Sequence, residues 1–249
     1  LEGSLAEYDS GVVEPTGRLR EKVGYMPQRY TLYGDLSVEE NLDFFGRMFG
    51  LQRATLEERK ERLLGITRLS GFGDRRADQL SGGMYKKLAL SCALLHHPEA
   101  LVLDEPTNGV DPVSRRELFE LLDEFVGDGM AVLMATPNME EAERCHRSGM
   151  LHEGRLIAEG TLEEHLAGFP HRAFRVASQA VDETEDQLYD ASFIIGLSAQ
   201  GEALRVVVRA GAVGDFDQWV ERAVPPVDVE PVRPRFEDVF VGLVEREAS

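Results

Sequence analysis

Leu101-Val-Leu-Asp-Glu-Pro106 is an apolar run that stops abruptly at two carboxylates and a proline, and Leu80-Ser-Gly-Gly-Met84 stands upstream of it. With Ala100, the run predicts a buried parallel strand that delivers acid groups to its carboxyl end. Open α/β sheets bind ligands at that end. An Asp there can hold Mg²⁺ through oxygen, and a Glu beside it can orient or deprotonate an attacking water. Taken alone, the run reads equally well as a buried strand followed by a turn. The upstream stretch adds a phosphate-friendly loop: two glycines let the backbone approach an anion, and the first turn of the following helix favours negative charge. Ser81 supplies a hydroxyl donor there.

Working outward, Val23 to Met26 reads as a short strand ended by Pro27, with Gln28 opening a loop. A Gln in such a loop can offer its amide oxygen to a metal or a water, or it can be an ordinary exposed polar residue. Ser37 and Glu40 fit a capping box for a helix through Asn41, Leu42, Phe44, Phe45 and Met48. A second helix is expected over about 55–69, with Leu56, Leu63, Ile66 and Leu69 at helical spacing. The helix after Ser81-Gly82-Gly83 is expected to run to about His96. Asp111-Pro112 caps another, and Ala131 to Ala135 is a further buried strand. Met139 to Arg144 reads as a helix and Gly149 to Ile157 as a hairpin around Glu153-Gly154. Beyond Phe169 the pattern changes to short strands and helices of a small two-layer α+β domain, in which Trp219 is a core residue. Leu1 to Pro15 is acidic and turn-rich without a period, and Arg18 to Lys22 is a basic patch.

These stretches resemble the motifs of ATP-binding-cassette (ABC) ATPases. Leu80 to Met84 is similar to the signature loop and Leu101 to Pro106 to the Walker B strand with its catalytic glutamate. Asn108-Gly-Val-Asp111 is similar to the D-loop and Val23-Gly-Tyr-Met-Pro-Gln28 to the Q-loop, and the four occur in the family's order. The ending Arg235-Phe-Glu-Asp-Val-Phe240 is similar to the closing helix of ABC-2-type exporter ATPases. The resemblance implies an α/β, P-loop NTPase-like ABC cassette over 1–168, N-terminally incomplete, with an inserted helical subdomain at about 30–95. A small C-terminal α+β accessory domain over 169–249 completes it.

The resemblance also implies ATP and Mg²⁺ as cofactors, with Asp104 holding the metal directly or through water and Gln28 sharing it while sensing the γ-phosphate. Glu105 would be the general base, and Asp111 would couple two sites. In the family the signature loop serves ATP held by the opposite subunit, so Ser81, Gly82 and Gly83 would complete a partner's site. A second ABC cassette, as homodimer, heterodimer or tandem fusion, and an ABC-2-type membrane permease are the implied partners. The aromatic stretch Tyr30 to Tyr33 with Phe44, Phe45 and Phe49 is a candidate contact for that permease, although core packing accounts for most of the phenylalanines. The implied location is cytoplasmic, at the inner face of the cell membrane through the permease.

Bulk properties narrow the classes. A chain of 249 residues with 43% apolar composition can bury a sizeable core. The formal net charge of -18 argues against a nucleic-acid partner bound through its phosphates and against adsorption to an anionic membrane leaflet. The 2 cysteines, Cys92 and Cys145, have no metal or redox spacing, and Cys92 is a small core residue. No apolar run approaches the roughly 18 residues a bilayer-spanning helix needs, and no basic-then-apolar secretory signal opens the chain.

Two departures from the family pattern bear on activity. No glycine is followed by lysine, so the phosphate-cradling G-x-x-x-x-G-K-[ST] loop is not found, and the expectation is that the chain starts downstream of it. After the strand Ala131 to Ala135, the family's γ-phosphate-contacting switch histidine is replaced by Pro137, which offers neither imidazole nor backbone N–H. His146 is off register and reads as a surface helix residue. The expected function is the ATP-hydrolysing subunit of an exporter of drugs, lipids or other hydrophobic compounds, with slow hydrolysis at its own site. The alternatives are a non-hydrolysing cassette that completes a partner's site, and a soluble ABC ATPase acting on ribosomes or DNA repair complexes.

Overall fold

The computed structural model describes residues 7–9, 12–14, 19–29 and 31–248. Two compact units divide the chain at Leu1–Pro137 and Asn138–Ser249. Arg18, Tyr30 and most of the acidic opening stretch lie outside the described residues. The described part of that opening holds a short antiparallel pair, β1 Glu7–Asp9 and β2 Val12–Glu14, where the sequence shows no period. The described end of the basic patch is a helical turn, α1 Leu19–Lys22.

The first unit is built on three parallel strands in the order β3 Val23–Met26, β4 Ala100–Asp104, β5 Ala131–Ala135. Three helices cross from β3 to β4: α2 Val38–Met48, α3 Arg53–Ile66 and α4 Gly82–Leu94. One helix, α5 Pro112–Gly127, crosses from β4 to β5. The expected capping box is present, with the Ser37 hydroxyl accepting from the Glu40 amide and the Glu40 carboxylate accepting from the Ser37 amide. Asn41 then bonds the incoming loop through the carbonyls of Tyr33, Leu36 and Ser37. That fixes where α2 begins.

Leu42, Leu56, Leu63, Leu69, Leu88, Leu101 and Leu103 share one core between these helices and one face of the sheet. Cys92 is 3% exposed in that core. The other face is open among the described residues: Tyr25 is 57% and Leu133 is 68% exposed. In register, Tyr25, Val102 and Leu133 form a row across the three strands. The expectation of a buried β5 is therefore corrected. Ala131, Leu133 and Ala135 are exposed because β5 is an edge strand and this face carries no described neighbour.

The second unit begins with α6 Met139–Ala142, the hairpin β6 Ser148–His152 and β7 Arg155–Gly160, and α7 Leu162–Ala167. The hairpin turns at Glu153 and Gly154, both with positive φ (47° and 78°), as primed hairpin turns require. A four-stranded antiparallel sheet follows in the order β11 Val227–Val232, β8 Arg172–Ser178, β10 Ala203–Val208, β9 Ile194–Gln200. Pro231 is tolerated because β11 is an edge strand. Helices α8 Val181–Tyr189 and α9 Val213–Arg222 cover it with Leu188 and Phe216, and Trp219 stacks on Phe216. The closing helix is α10 Phe236–Ala248.

Residues 138–167, which the sequence groups with the cassette, pack with this closing helix. Met150, Phe236 and Val239 share a core with Met139, Leu162 and Leu166. The RFED stretch is anchored by Asp238, whose carboxylate pairs in two-point fashion with the Arg205 guanidinium at 2.6 and 3.0 Å and accepts from the Arg235 amide. His146 is exposed and lies in a bend after α6, not on a helix, because α6 ends at Ala142.

Candidate functional site

At its carboxyl end β4 delivers Asp104, which is half-buried and in register with Ala135. The next residue, Glu105, is left-handed, with φ of 45°. A non-glycine residue holds that conformation only when its surroundings over-determine it. Here the Glu105 amide donates to the Ala135 carbonyl at 2.9 Å, and the Glu105 carbonyl accepts from the Asn108 amide at 3.2 Å. The Asn108 carboxamide also donates to the Glu105 carboxylate at 3.0 Å. The strand ends at Asp104, and the Glu105 side chain beyond it is half-buried.

Gln28 is exposed beyond β3, the strand adjacent to β4. A cavity of about 200 Å³ lies beside it, lined by Gln28, Tyr85, Lys86, Asn108 and Gly109 among others. Lys86 is 8% exposed and donates to the carbonyls of both Gln28, at 3.4 Å, and Glu105, at 3.3 Å. Burial pushes the Lys86 ammonium below the usual lysine range, against the pull of the Glu105 and Asp104 carboxylates.

The signature stretch meets the same place from the helical side. Ser81 is the N-cap of α4, with its hydroxyl accepting from the Met84 amide at 3.3 Å. The two glycines are required by close approach. A Cβ on Gly82 would stand 2.9 Å from the Gly109 carbonyl oxygen, and one on Gly83 would stand 2.3 Å from the Ser114 hydroxyl. Asp111 caps α5, its carboxylate accepting from the Val113 and Ser114 amides at 3.0 Å each. The Ser114 side chain and these amides hold its carboxyl below the usual aspartate range.

The structure thus brings Gln28, Asp104 and Glu105 to the carboxyl ends of the adjacent strands β3 and β4, and Ser81, Gly82, Gly83 and Asp111 to the adjoining loop pair. Asp104 and Gln28 offer carboxylate and amide oxygens, the donors a hard divalent cation takes. The signature glycines present a helix N-terminus to an anion. Pro137 is exposed two residues beyond Ala135, the residue that bonds Glu105. Of the permease-contact candidates, Tyr33 and Phe44 are 46% and 40% exposed and meet edge to face at 4.6 Å. Phe45 packs against the core and Phe49 stacks on His96 at 4.1 Å.

Sequence reasoning did not assign a role to Lys86 or to the Asn108 side chain. The available signal was the placement of Lys86 and Lys87 beside an otherwise apolar helical run.

Comparison with known proteins gives this geometry a family. The ABC transporter family model matches residues 3–108. The chain is 36% identical over 254 residues to the probable multidrug ABC transporter ATP-binding protein YbhF of Escherichia coli (strain K12), a match covering 97% of this chain and 42% of that protein. It is 35% identical over 251 residues to the Nod factor export ATP-binding protein I of Rhizobium sp. (strain N33), covering 94% of this chain and 77% of that one. The chain spans about half the length of several other Nod factor export relatives. A solved structure described as the ATP binding subunit of an ABC transporter superposes with a TM-score of 0.55 at 32% identity, over 63% of this chain and 67% of that chain. Its fold is that of the ABC ATPase cassettes, a mixed α/β P-loop NTPase architecture, and by sequence and structure together the chain belongs to the family of ABC transporter ATP-binding proteins.

Proposed function

We propose that this chain is part of the ATP-hydrolysing subunit of an exporter, in which nucleotide-driven pairing of two cassettes is coupled to transport by a separate ABC-2-type permease. The family binds ATP, and the curated relatives carry multidrug and Nod factor export names. The observation that supports the reading is the meeting of Asp104, Glu105 and Gln28 at the carboxyl ends of β3 and β4, with the signature glycines packed on the D-loop beside them.

The resemblance suggests the roles, and the positions of the residues support them. Asp104 and Gln28 would hold Mg²⁺ through oxygen, and bound metal would offset charge on the phosphates. Glu105 accepts a proton from the attacking water, and its carboxylate accepts a hydrogen bond from the Asn108 carboxamide. Gln28 senses the γ-phosphate. Ser81, Gly82 and Gly83 present the α4 N-terminus to nucleotide held by a second cassette, and Asp111, next to Gly83, couples the two sites. The exposed pair Tyr33 and Phe44 is the contact offered to the permease. No described helix is long and apolar enough to cross a membrane, so membrane association would run through that partner. We propose the cassette over 1–168 and the accessory domain over 169–249 as the functional division.

A second reading is favoured by Pro137. With no imidazole at the switch position, the site on this chain would hydrolyse slowly and serve mainly to complete a more active partner. One substitution tests the main reading. In the native polypeptide that contains this chain, Glu105→Gln is expected to abolish ATP turnover while nucleotide-dependent dimerisation persists, seen by gel filtration with and without ATP. Unchanged turnover would remove Glu105 as the base.

A further inference from the structure

Lys86 carries a charge that none of these roles uses. It sits on α4, five residues past the N-cap Ser81, with 8% of its surface exposed. A buried ammonium is tolerated only where its protons find acceptors. Those acceptors are two backbone carbonyls, of Gln28 and of Glu105, which belong to loops leaving adjacent parallel strands. One side chain from the signature helix therefore spans the sensor loop and the turn that bears the base.

The Glu105 carbonyl is the more telling contact. Glu105 is in the left-handed region, with φ of 45°, and such a residue keeps its conformation only where neighbours enforce it. Two enforcing bonds come from backbone, the Glu105 amide to Ala135 and the Asn108 amide to the Glu105 carbonyl. The third comes from Lys86, and it alone among the three reaches from the helical side. The next lysine, Lys87, is turned away to an ion pair with Glu117 on α5, so the two neighbours act in different directions.

We infer that Lys86 is a positioning residue: its ammonium ties the Gln28 and Glu105 backbones to the signature helix, holding sensor, base and signature loop in one geometry for hydrolysis. The inference rests on the ATPase reading above for its kinetic consequence. Its structural consequence stands without nucleotide. Methionine at this position keeps most of the apolar stem and removes all three donors, whereas arginine keeps donors that can reach both carbonyls.

The experiment compares Lys86→Met and Lys86→Arg in the native polypeptide that contains this chain. Backbone hydrogen exchange is read in the nucleotide-free protein, and kcat and KM are read with Mg²⁺-ATP. Lys86→Met is expected to speed exchange at residues 28–29, 31–33 and 105–110 by about tenfold or more while the amides of α4 and β4 stay protected. It should lower kcat by about tenfold or more with KM changed by less than about twofold, and Lys86→Arg should recover most of both. Three results would overturn the proposal: exchange in the two loops unchanged in Lys86→Met, a raised KM at unchanged kcat, or faster exchange throughout the first unit that Lys86→Arg does not repair. Glu105→Gln serves as the control. Persistent turnover in that variant would sink the ATPase reading, while the exchange result would still decide whether Lys86 holds the two loops.

Discussion

Glu105 and Pro137 lie on either side of the same backbone bond, since the Glu105 amide donates to Ala135 and Pro137 follows two residues later. On the proposed reading, the first would supply the carboxylate for hydrolysis, and the second withholds a donor that the resemblance places at the switch position. A single donor aimed at developing charge contributes about 10²–10³ in rate. Replacing Pro137 by histidine is therefore expected to raise the ATP turnover of the native polypeptide by about tenfold or more, measured as phosphate release at saturating ATP. Turnover that does not rise would show that this position does not face the γ-phosphate. At this scale most of the candidate site was legible in the chain. Asp104 and Glu105 end an apolar run, and Ser81 to Gly83 open a helix, so each acts through a conformation set by its immediate neighbours. Lys86 was not legible in the same way, because its two bonds reach residues 58 and 19 positions away.

Among the elements, α4 and α5 carry the loops that meet at the site, and a charged triad joins them. Glu117 on α5 pairs with Lys87 on α4 and with Arg68 at 2.7 Å. The Lys87 hydrogen bond, assisted by the two positive charges, holds the Glu117 carboxyl below its ordinary value of 4.5. A depressed folded pKa stabilises the fold above the unfolded value, and that stability is lost as pH falls through the folded value. The first unit should therefore weaken on acidification below the ordinary glutamate range. Glu117→Gln should be less stable than the wild type near neutrality, with the gap closing as pH falls below the ordinary glutamate range, as urea midpoints taken across a pH series would show. A gap that is constant with pH would mean the pair contributes nothing. The capping box at Ser37 and Glu40, and the turn at Glu153-Gly154, were read directly because caps and tight turns depend on a few consecutive residues. The exposure of β5 was not, because a run of apolar residues does not say whether both faces of its sheet are covered.

For the molecule as a whole, the two compact units are stabilised by separate cores, and the second has its own buried ion pair. Arg205 and Asp238 are 5% and 4% exposed, and they join β10 to the start of α10. Removing one partner of such a pair leaves a charge without compensation and costs about 3–5 kcal/mol. Asp238→Ala should accordingly destabilise the second unit by about that amount. The single tryptophan, Trp219, stacks on Phe216 in that unit's core, so its fluorescence reports this loss directly. An unfolding midpoint by Trp219 emission equal to the wild type would remove the pair from the stability of the unit.

The division between what was local and what was not runs through the entire chain. Sequence alone determined the α/β alternation, the order of the four motifs, the two helix caps and most strand positions, because periodicity, capping and turn chemistry act over a few residues at a time. Only the tertiary structure decided that residues 138–167 share a core with α10, that Asp238 answers Arg205, that one sheet face is open among the described residues, and that Lys86 reaches both Gln28 and Glu105. Each of these depends on elements far apart in the chain being folded against one another. Contacts across such separations leave no periodic trace in a single sequence.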